Sequence, residues 1–299
     1  MTIDSRARIL SVKPNSPGDD KLRVDSPYHL CIRPREGLVR LGLSDLWTFR
    51  ELLAALVIRD IKLRYRQTAL GVAWVILQPL LASGILAFVF GSVAKVTRPE
   101  RSPVFIFVLG GFIGWSLFCT ILSKSSQSLI QHSALITKVF FPRVILPAST
   151  ALSALFDLAI GLALLIALAF ICGISFGWQF IVLPLWLCLL LTLSSGLGLV
   201  SAALSVRFRD VQHIIPVLVQ MLFYASPIAY RSAAVPVEWR ALFNLNPLSP
   251  IFEGLRWSLL MEGNFQPWET LYASVLSFLT LGFGLAFFRA AEREFSDLI

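Results

Sequence analysis

From Gln67 to Ala94 the chain runs for 28 residues without a charged side chain. A helix needs about 20 residues to cross a hydrocarbon layer roughly 30 Å thick, and only a helix or a closed barrel can satisfy its backbone there. Arg59, Lys62, Arg64 and Arg66 stand immediately before this run, with Asp60 the one acid among them. Cations so placed mark the side of a membrane protein that stays in the cytoplasm. The junction therefore predicts an integral membrane protein whose N-terminus lies inside. Composition agrees: 56% of the 299 residues are hydrophobic and 15% are charged, against about 25% charged in soluble domains. The formal net charge is +8. Its cations cluster beside apolar runs, where they meet anionic lipid headgroups, so membrane lipids and not nucleic acid are the expected partners.

Further uncharged stretches predict further spans. Ser102–Ser123 is a second. A third begins near Val144 and carries Asp157, and 49 uncharged residues follow from Leu158 to Val206. That run is too long for one helix. The glycines of Cys172-Gly173-Ile174-Ser175-Phe176-Gly177 are the natural turn, which gives spans at 147–171 and 179–205. Ile214–Tyr230 and Thr270–Phe288 are the fifth and sixth. Six spans put both termini in the cytoplasm, and cations near the spans are more numerous on the predicted inner side. The four cysteines, at 31, 119, 172 and 188, form no C-x-x-C pair and read as small core residues. No apolar leader is visible in residues 1–36.

The fold class predicted is thus an all-α integral membrane protein in three parts. Residues 1–44 form a cytoplasmic tail, 45–66 an amphipathic interfacial helix, and 67–299 the six-span domain. The helix reading of 45–66 rests on Leu46, Phe49, Leu52, Leu53, Leu56, Val57 and Leu63 sharing one face, with Ser44 or Asp45 as cap. Such a helix lies along the membrane surface; the alternative is a plain flank of the first span. Residues 231–269 form an outer segment whose apolar stretch, 248–261, is too short to cross and fits a re-entrant or surface-lying helix. Glu253 and Arg256 are three apart there and within reach of each other.

Catalytic signatures are absent. The chain has no phosphate loop of the G-x-x-x-x-G-K-[S/T] type, no H-E-x-x-H and no G-x-S-x-G. It is predicted not to be an enzyme, to bind no metal and to hold no cofactor of its own. Asp157 is the one acid amid an apolar run, and facing lipid it would cost at least about 2.5–3.5 kcal/mol. Two readings fit it: a polar point on a transport path, or a satisfied bond at a helix interface. The aromatics Trp74, Trp115, Phe118 and Tyr224 either line a sugar path or face lipid. Gly110-x-x-x-Gly114 offers close helix contact. The segment 124–143 is either a handle for a partner or a connector.

Five strings in order resemble one family. They are RELLAALVIRDIKLRYRQTALGVAWVILQPL (50–80), LITKVFFPRVILP (135–147), RFRDVQHIIP (207–216), SPIAY (226–230) and NPLSPIFEGLR (246–256). Together they resemble the membrane subunits of type-2 ABC exporters for polysaccharides such as O-antigen and capsule. The resemblance implies a bacterial inner-membrane permease that exports a lipid-linked glycan, as in lipopolysaccharide biosynthesis. It implies a homodimer with two ATP-binding cassette subunits, which use ATP and Mg. It also implies an ATPase-coupling loop at 124–143, carrying Lys124, His132, Lys138, Phe141 and Arg143, with Arg207, Arg209 and Asp210 as a second contact. The segment 231–269, with Glu253 and Arg256, would close the channel outside.

Mechanistically, Arg59, Lys62, Arg64 and Arg66 are expected to attract the lipid carrier's pyrophosphate, and Trp74, Trp115, Phe118, Asp157 and Tyr224 to line the channel. The alternatives are an ion-gradient-driven secondary transporter, which needs an internal repeat and paired ionisable groups at mid-depth, and a membrane glycolipid-processing enzyme, which needs grouped carboxylates. Neither pattern is present in the sequence.

Overall fold

The computed structural model describes residues 47–65, 73–95, 99, 101–139, 141–263 and 266–292, all within one compact unit, Leu38–Ile299. The tail expected over 1–44, the cap at Ser44 or Asp45, Leu46 and Arg66 lie outside the described residues. Ten α-helices make up the described structure. They are α1 (Arg50–Tyr65), α2 (Ala73–Ala87, drawn on by a π-helical turn, Phe88–Val93), α3 (Val104–Gln131), α4 (Ser133–Lys138), α5 (Ile145–Ile171), α6 (Leu183–Arg207), α7 (Val211–Tyr224), α8 (Val237–Asn244), α9 (Leu248–Leu260) and α10 (Pro267–Glu292).

Five helices are long and apolar enough to cross a membrane: Ala73–Val93, Val104–Gln131, Ile145–Ile171, Trp178–Arg207 and Pro267–Glu292. Their outward faces are apolar. Leu271, Val275, Phe278, Leu279 and Phe283 of α10 fall on one exposed stripe, as lipid contact requires. Trp47, Trp178, Trp239 and Trp268 are exposed near helix ends, where amphipathic rings suit a membrane–water boundary.

Where a fifth span is expected over 214–230, the helix is shorter than that stretch. This helix, α7, runs from Val211 to Tyr224, 14 residues, or about 21 Å at the α-helical rise and short of a full crossing. Pro227 cannot continue the hydrogen-bond ladder, and the chain turns at 225–230 into the protein interior, where Ser226, Ile228 and Ala229 are buried. Such irregular backbone needs partners. Asn246 Nδ2 donates to Ala225 O (3.1 Å) and Ser226 Oγ (3.0 Å), while Asn246 Oδ1 accepts the Leu248 amide at 3.0 Å. Two of the five motif strings thus meet at one asparagine.

α9 is also more central than a surface-lying helix. Eleven of its 13 residues are buried, packed among α3, α6 and α10. Trp115 and Phe118 of α3, Trp186 of α6 and Ile251, Phe252 and Leu255 of α9 belong to one core cluster. A second cluster occupies the opposite end of the bundle and includes Leu56, Leu129, Phe141, Ile145, Leu146 and Phe288. We refer to these as the α9 end and the α1 end.

The helix expected at the interface packs part of its apolar face on protein. Phe49, Leu52, Leu53 and Leu56 pack into the α1-end cluster, chiefly along α5. Its apolar face is therefore satisfied by protein, whereas Ile58 and Leu63 point outward.

Small residues set the close helix contacts. Side chains added to Gly196 of α6 or Gly284 of α10 would run into the facing backbone, near Thr280 and at Gly196 itself. Of the anticipated glycine pair, Gly114 abuts Phe252 and Leu255, while Gly110 has only ordinary contacts; the tight approach falls at Gly111, against the Ile228 carbonyl. A Cβ on Gly254 would overlap the Trp186 indole, whereas one on Gly282 meets nothing within 4 Å. Gly254→Ala is expected to destabilise the chain by about 1–3 kcal/mol through overpacking, seen as a lower thermal midpoint in detergent, with Gly282→Ala as the near-neutral comparison.

Candidate functional site

Between the two clusters, α1, α2, α3 and α5 border an open cleft of about 280 Å³. Its polar wall is Arg64, Gln78, Ser116, Thr120, Lys124 and Asp157; Trp74, Phe112, Ile113 and Leu158 supply apolar surface. Arg64 comes from the last turn of α1, where the helix dipole favours a cation. Asp157 projects from the middle of α5 and forms an ion pair with Arg64, the two side chains being 22% and 23% exposed. At this position the acid is paired, and it also lines an open cavity. Arg64 Nη2 is buried and has no hydrogen-bond partner among the described residues. Lys124 lies on α3 one turn beyond Thr120. The helix continues past it to Gln131, so Lys124 faces the cleft and not an external loop.

The predicted cation patch is thereby divided. Arg59 Nη2 donates to Asp60 Oδ1 at 2.8 Å and is bonded to His132 Nε2. Arg64 is held by Asp157, Lys62 is exposed, and Arg66 lies outside the described residues.

The expected coupling residues are similarly separated. His132 forms the break between α3 and α4. Lys138 is exposed at the end of α4. Phe141 is a buried member of the α1-end cluster, because an aromatic side chain beside α5 gains more from that core than from water. Arg143 turns inward. Its amide donates to Glu292 Oε1 at 3.1 Å and its Nη1 to Glu292 O at 2.8 Å, tying the 141–144 turn to the end of α10. Arg207, Arg209 and Asp210 are exposed where α6 passes to α7; the Arg207 guanidinium lies 5.5 Å from the Phe208 ring centroid.

Among the aromatics, Trp74 is 49% exposed on the cleft and Tyr224 is 64% exposed at the end of α7. Trp115 and Phe118, expected to line a channel, are instead interior. The Trp115 ring centroid lies 5.3–6.4 Å from those of Phe118, Phe223 and Phe252, in tilted or edge-on contact, and Trp115 and Phe118 are at most 5% exposed.

At the α9 end, Glu253 and Arg256 take other partners. Glu253 Oε1 accepts the Ser232 amide at 3.0 Å. Arg256 is buried, with Nη1 donating to Tyr230 O at 3.1 Å and its guanidinium 4.3 Å from the Phe107 ring centroid. Burial lowers its pKa to about 10, with the Glu253 charge opposing, so it is cationic at neutral pH.

Sequence reasoning missed Glu262. Met261 takes a left-handed conformation (φ 54°) that stops α9, and Glu262 Oε1 then accepts the amides of Arg101 (2.6 Å) and Ser102 (3.0 Å) just before α3. A carboxylate there suits the positive end of that helix. Its partners are about 160 residues away, and no local pattern marks it. Sequence spacing gave a second miss, the pairing of Arg59 with His132, for the same reason.

Comparison with known proteins agrees with this architecture. The model of the family described as ABC-2 type transporter matches residues 51–260. The O-antigen export system permease protein RfbA of Myxococcus xanthus is 29% identical over 265 residues, covering 88% of this chain and 100% of that protein. A Klebsiella pneumoniae protein of the same name is 27% identical over 253 residues, 83% of this chain and 95% of its own. The polysialic acid transport protein KpsM of Escherichia coli is 30% identical over 245 residues, 80% of this chain and 92% of its own.

The cleft's ion pair yields a double-mutant test. Asp157→Leu should destabilise the chain more than Arg64→Leu/Asp157→Leu does, because the single change leaves the arginine uncompensated. The coupling energy should be about 0.5–2 kcal/mol for a pair this exposed, measured by thermal unfolding of the four-member cycle.

Proposed function

Because the chain belongs to the ABC-2 type transporter family, we propose that it is the membrane subunit of an ATP-driven exporter of a lipid-linked polysaccharide. Two copies pair with two ATP-binding subunits, which hold ATP and Mg and carry out hydrolysis, so this chain is not itself an enzyme. In this reading α7 and the buried turn 225–230 make up the fifth of six crossings. Both termini are cytoplasmic, and the α1 end faces the cytoplasm of a bacterial inner membrane. The larger number of cations on the cytoplasmic side of the spans supports this orientation.

The observation that carries the reading is the cleft between α1, α2, α3 and α5. It opens beside the first span and joins two cations, one carboxylate, hydroxyl and amide groups and an exposed indole. Cations draw a phosphorylated headgroup; Gln78, Ser116 and Thr120 can exchange hydrogen bonds with sugar hydroxyls; Trp74 offers a flat apolar face to a sugar ring. The headgroup role first read onto Arg59, Lys62, Arg64 and Arg66 therefore centres on Arg64 with Lys124, with Lys62 exposed nearby. The exposed flank of α2, where Ile76, Leu81, Ile85 and Phe88 are uncovered, supports contact with a second copy or with lipid.

The purified chain should carry an ATP-binding subunit, and Arg64→Ala/Lys124→Ala should leave that association intact while lowering glycan export about tenfold, the equivalent of roughly 1.4 kcal/mol. Transport driven by an ion gradient with no ATP-binding subunit attached would overturn the proposal.

A further inference from the structure

His132 sits where the α3–α4 joint meets α1. It sits at φ −111°, ψ 20° between α3 and the six-residue α4. Its Nδ1 lies 2.7 Å from Ser128 O. A carbonyl oxygen can only accept, so Nδ1 carries the proton and donates it. In the neutral ring Nε2 then keeps a lone pair, and that lone pair faces Arg59 Nη2 of α1. Asp60 Oδ1 braces the same guanidinium from Nε (3.3 Å) and Nη2 (2.8 Å). Leu135 and Ile136 of α4 join the cluster that receives Phe49, Leu52, Leu53 and Leu56 of α1. Five residues beyond Arg59, the last turn of the same helix carries Arg64, whose partner Asp157 lines the cleft. One rigid helix is therefore tied to the α3–α4 joint at one point and to the cleft wall at another.

We infer that His132 is a positioning residue: it transmits displacement of α4 to α1, and through α1 to the Arg64–Asp157 pair and the opening of the cleft. This rests on the proposed function, with the ATP-binding subunit meeting α4 at its exposed Ala134, Thr137 and Lys138. It differs from a docking role, since the ring is turned toward the chain's own helices. Movement of α4 pulls Arg59; α1 follows as a unit; Arg64 shifts against Asp157, which is fixed on α5.

The test uses the full complex with its ATP-binding subunit in proteoliposomes or cells, and reads association, ATP hydrolysis and export per ATP hydrolysed. His132→Ala is expected to keep the subunits together and hydrolysing while export per ATP falls about tenfold, within the usual span of coupling free energies. Arg59→Met should do the same, and the double variant should be no worse than either single one. His132→Gln should recover most of the loss, because its amide can donate to Ser128 O and accept from Arg59. The inference is overturned if His132→Ala leaves export per ATP unchanged, if it releases the ATP-binding subunit, or if the glutamine is as defective as the alanine. If the wild-type chain carries no ATP-binding subunit, the proposed function falls first and this inference with it, before any variant is compared.

Discussion

A carboxylate on an apolar helix requires a counter-charge, and the pairing of Asp157 with Arg64 organises much of what surrounds it. The acid is set on α5 and the base comes from a helix that precedes every span. Joining them fixes the end of α1 against the bundle, brings the Phe49–Leu56 face into a protein core, and leaves a polar wall between α2 and α3. Without this pair, α1 would be held by its apolar contacts and the Arg59–His132 bond alone. The cleft would lose the groups that distinguish it from an ordinary groove between spans.

The opposite end solves a different problem, that of irregular backbone beside apolar helices. The turn at 225–230 breaks a span, and α9 lies buried without crossing. Each exposed backbone group there is met by a side chain from a distant stretch: Asn246 at the turn, Glu253 at Ser232, Arg256 at Tyr230 and Glu262 before α3. Three of these bonds are partly buried, where an unmade one is costly. The segment 231–269 is therefore stitched into the helices around it by four polar residues.

The spans were legible because absence of charge is a local property: the long runs before Lys95 and between Asp157 and Arg207 mark helices wherever partners lie. The apolar face of α1 was legible for a similar reason, since Phe49, Leu52, Leu53 and Leu56 repeat with the helical turn. What covers that face was not, because lipid and protein accept the same side chains. The length of α7 was also hidden: 214–230 is uncharged throughout, and the Pro227 turn becomes decisive only once Asn246 and Gly111 receive it. Lys124 was misread because a single cation after a span looks like its end, whereas here it turns back into a cavity. For the site itself, sequence gave the residue types. The pairings of Arg64 with Asp157 and of Arg59 with His132 span 93 and 73 residues, a distance at which no periodicity carries information.

The glycine contact between α6 and α10 has a mechanical consequence. With Gly196 and Gly284 letting backbone meet backbone, neighbouring side chains on either side act as stops against sliding. These two helices behave as a keyed joint, stiff along its length. α2, which buries only Ser83 and Ala87, has no such key. Any rearrangement of the chain is thus directed to the flank that carries α1 and α2, while α6 and α10 serve as the fixed frame against which that flank moves.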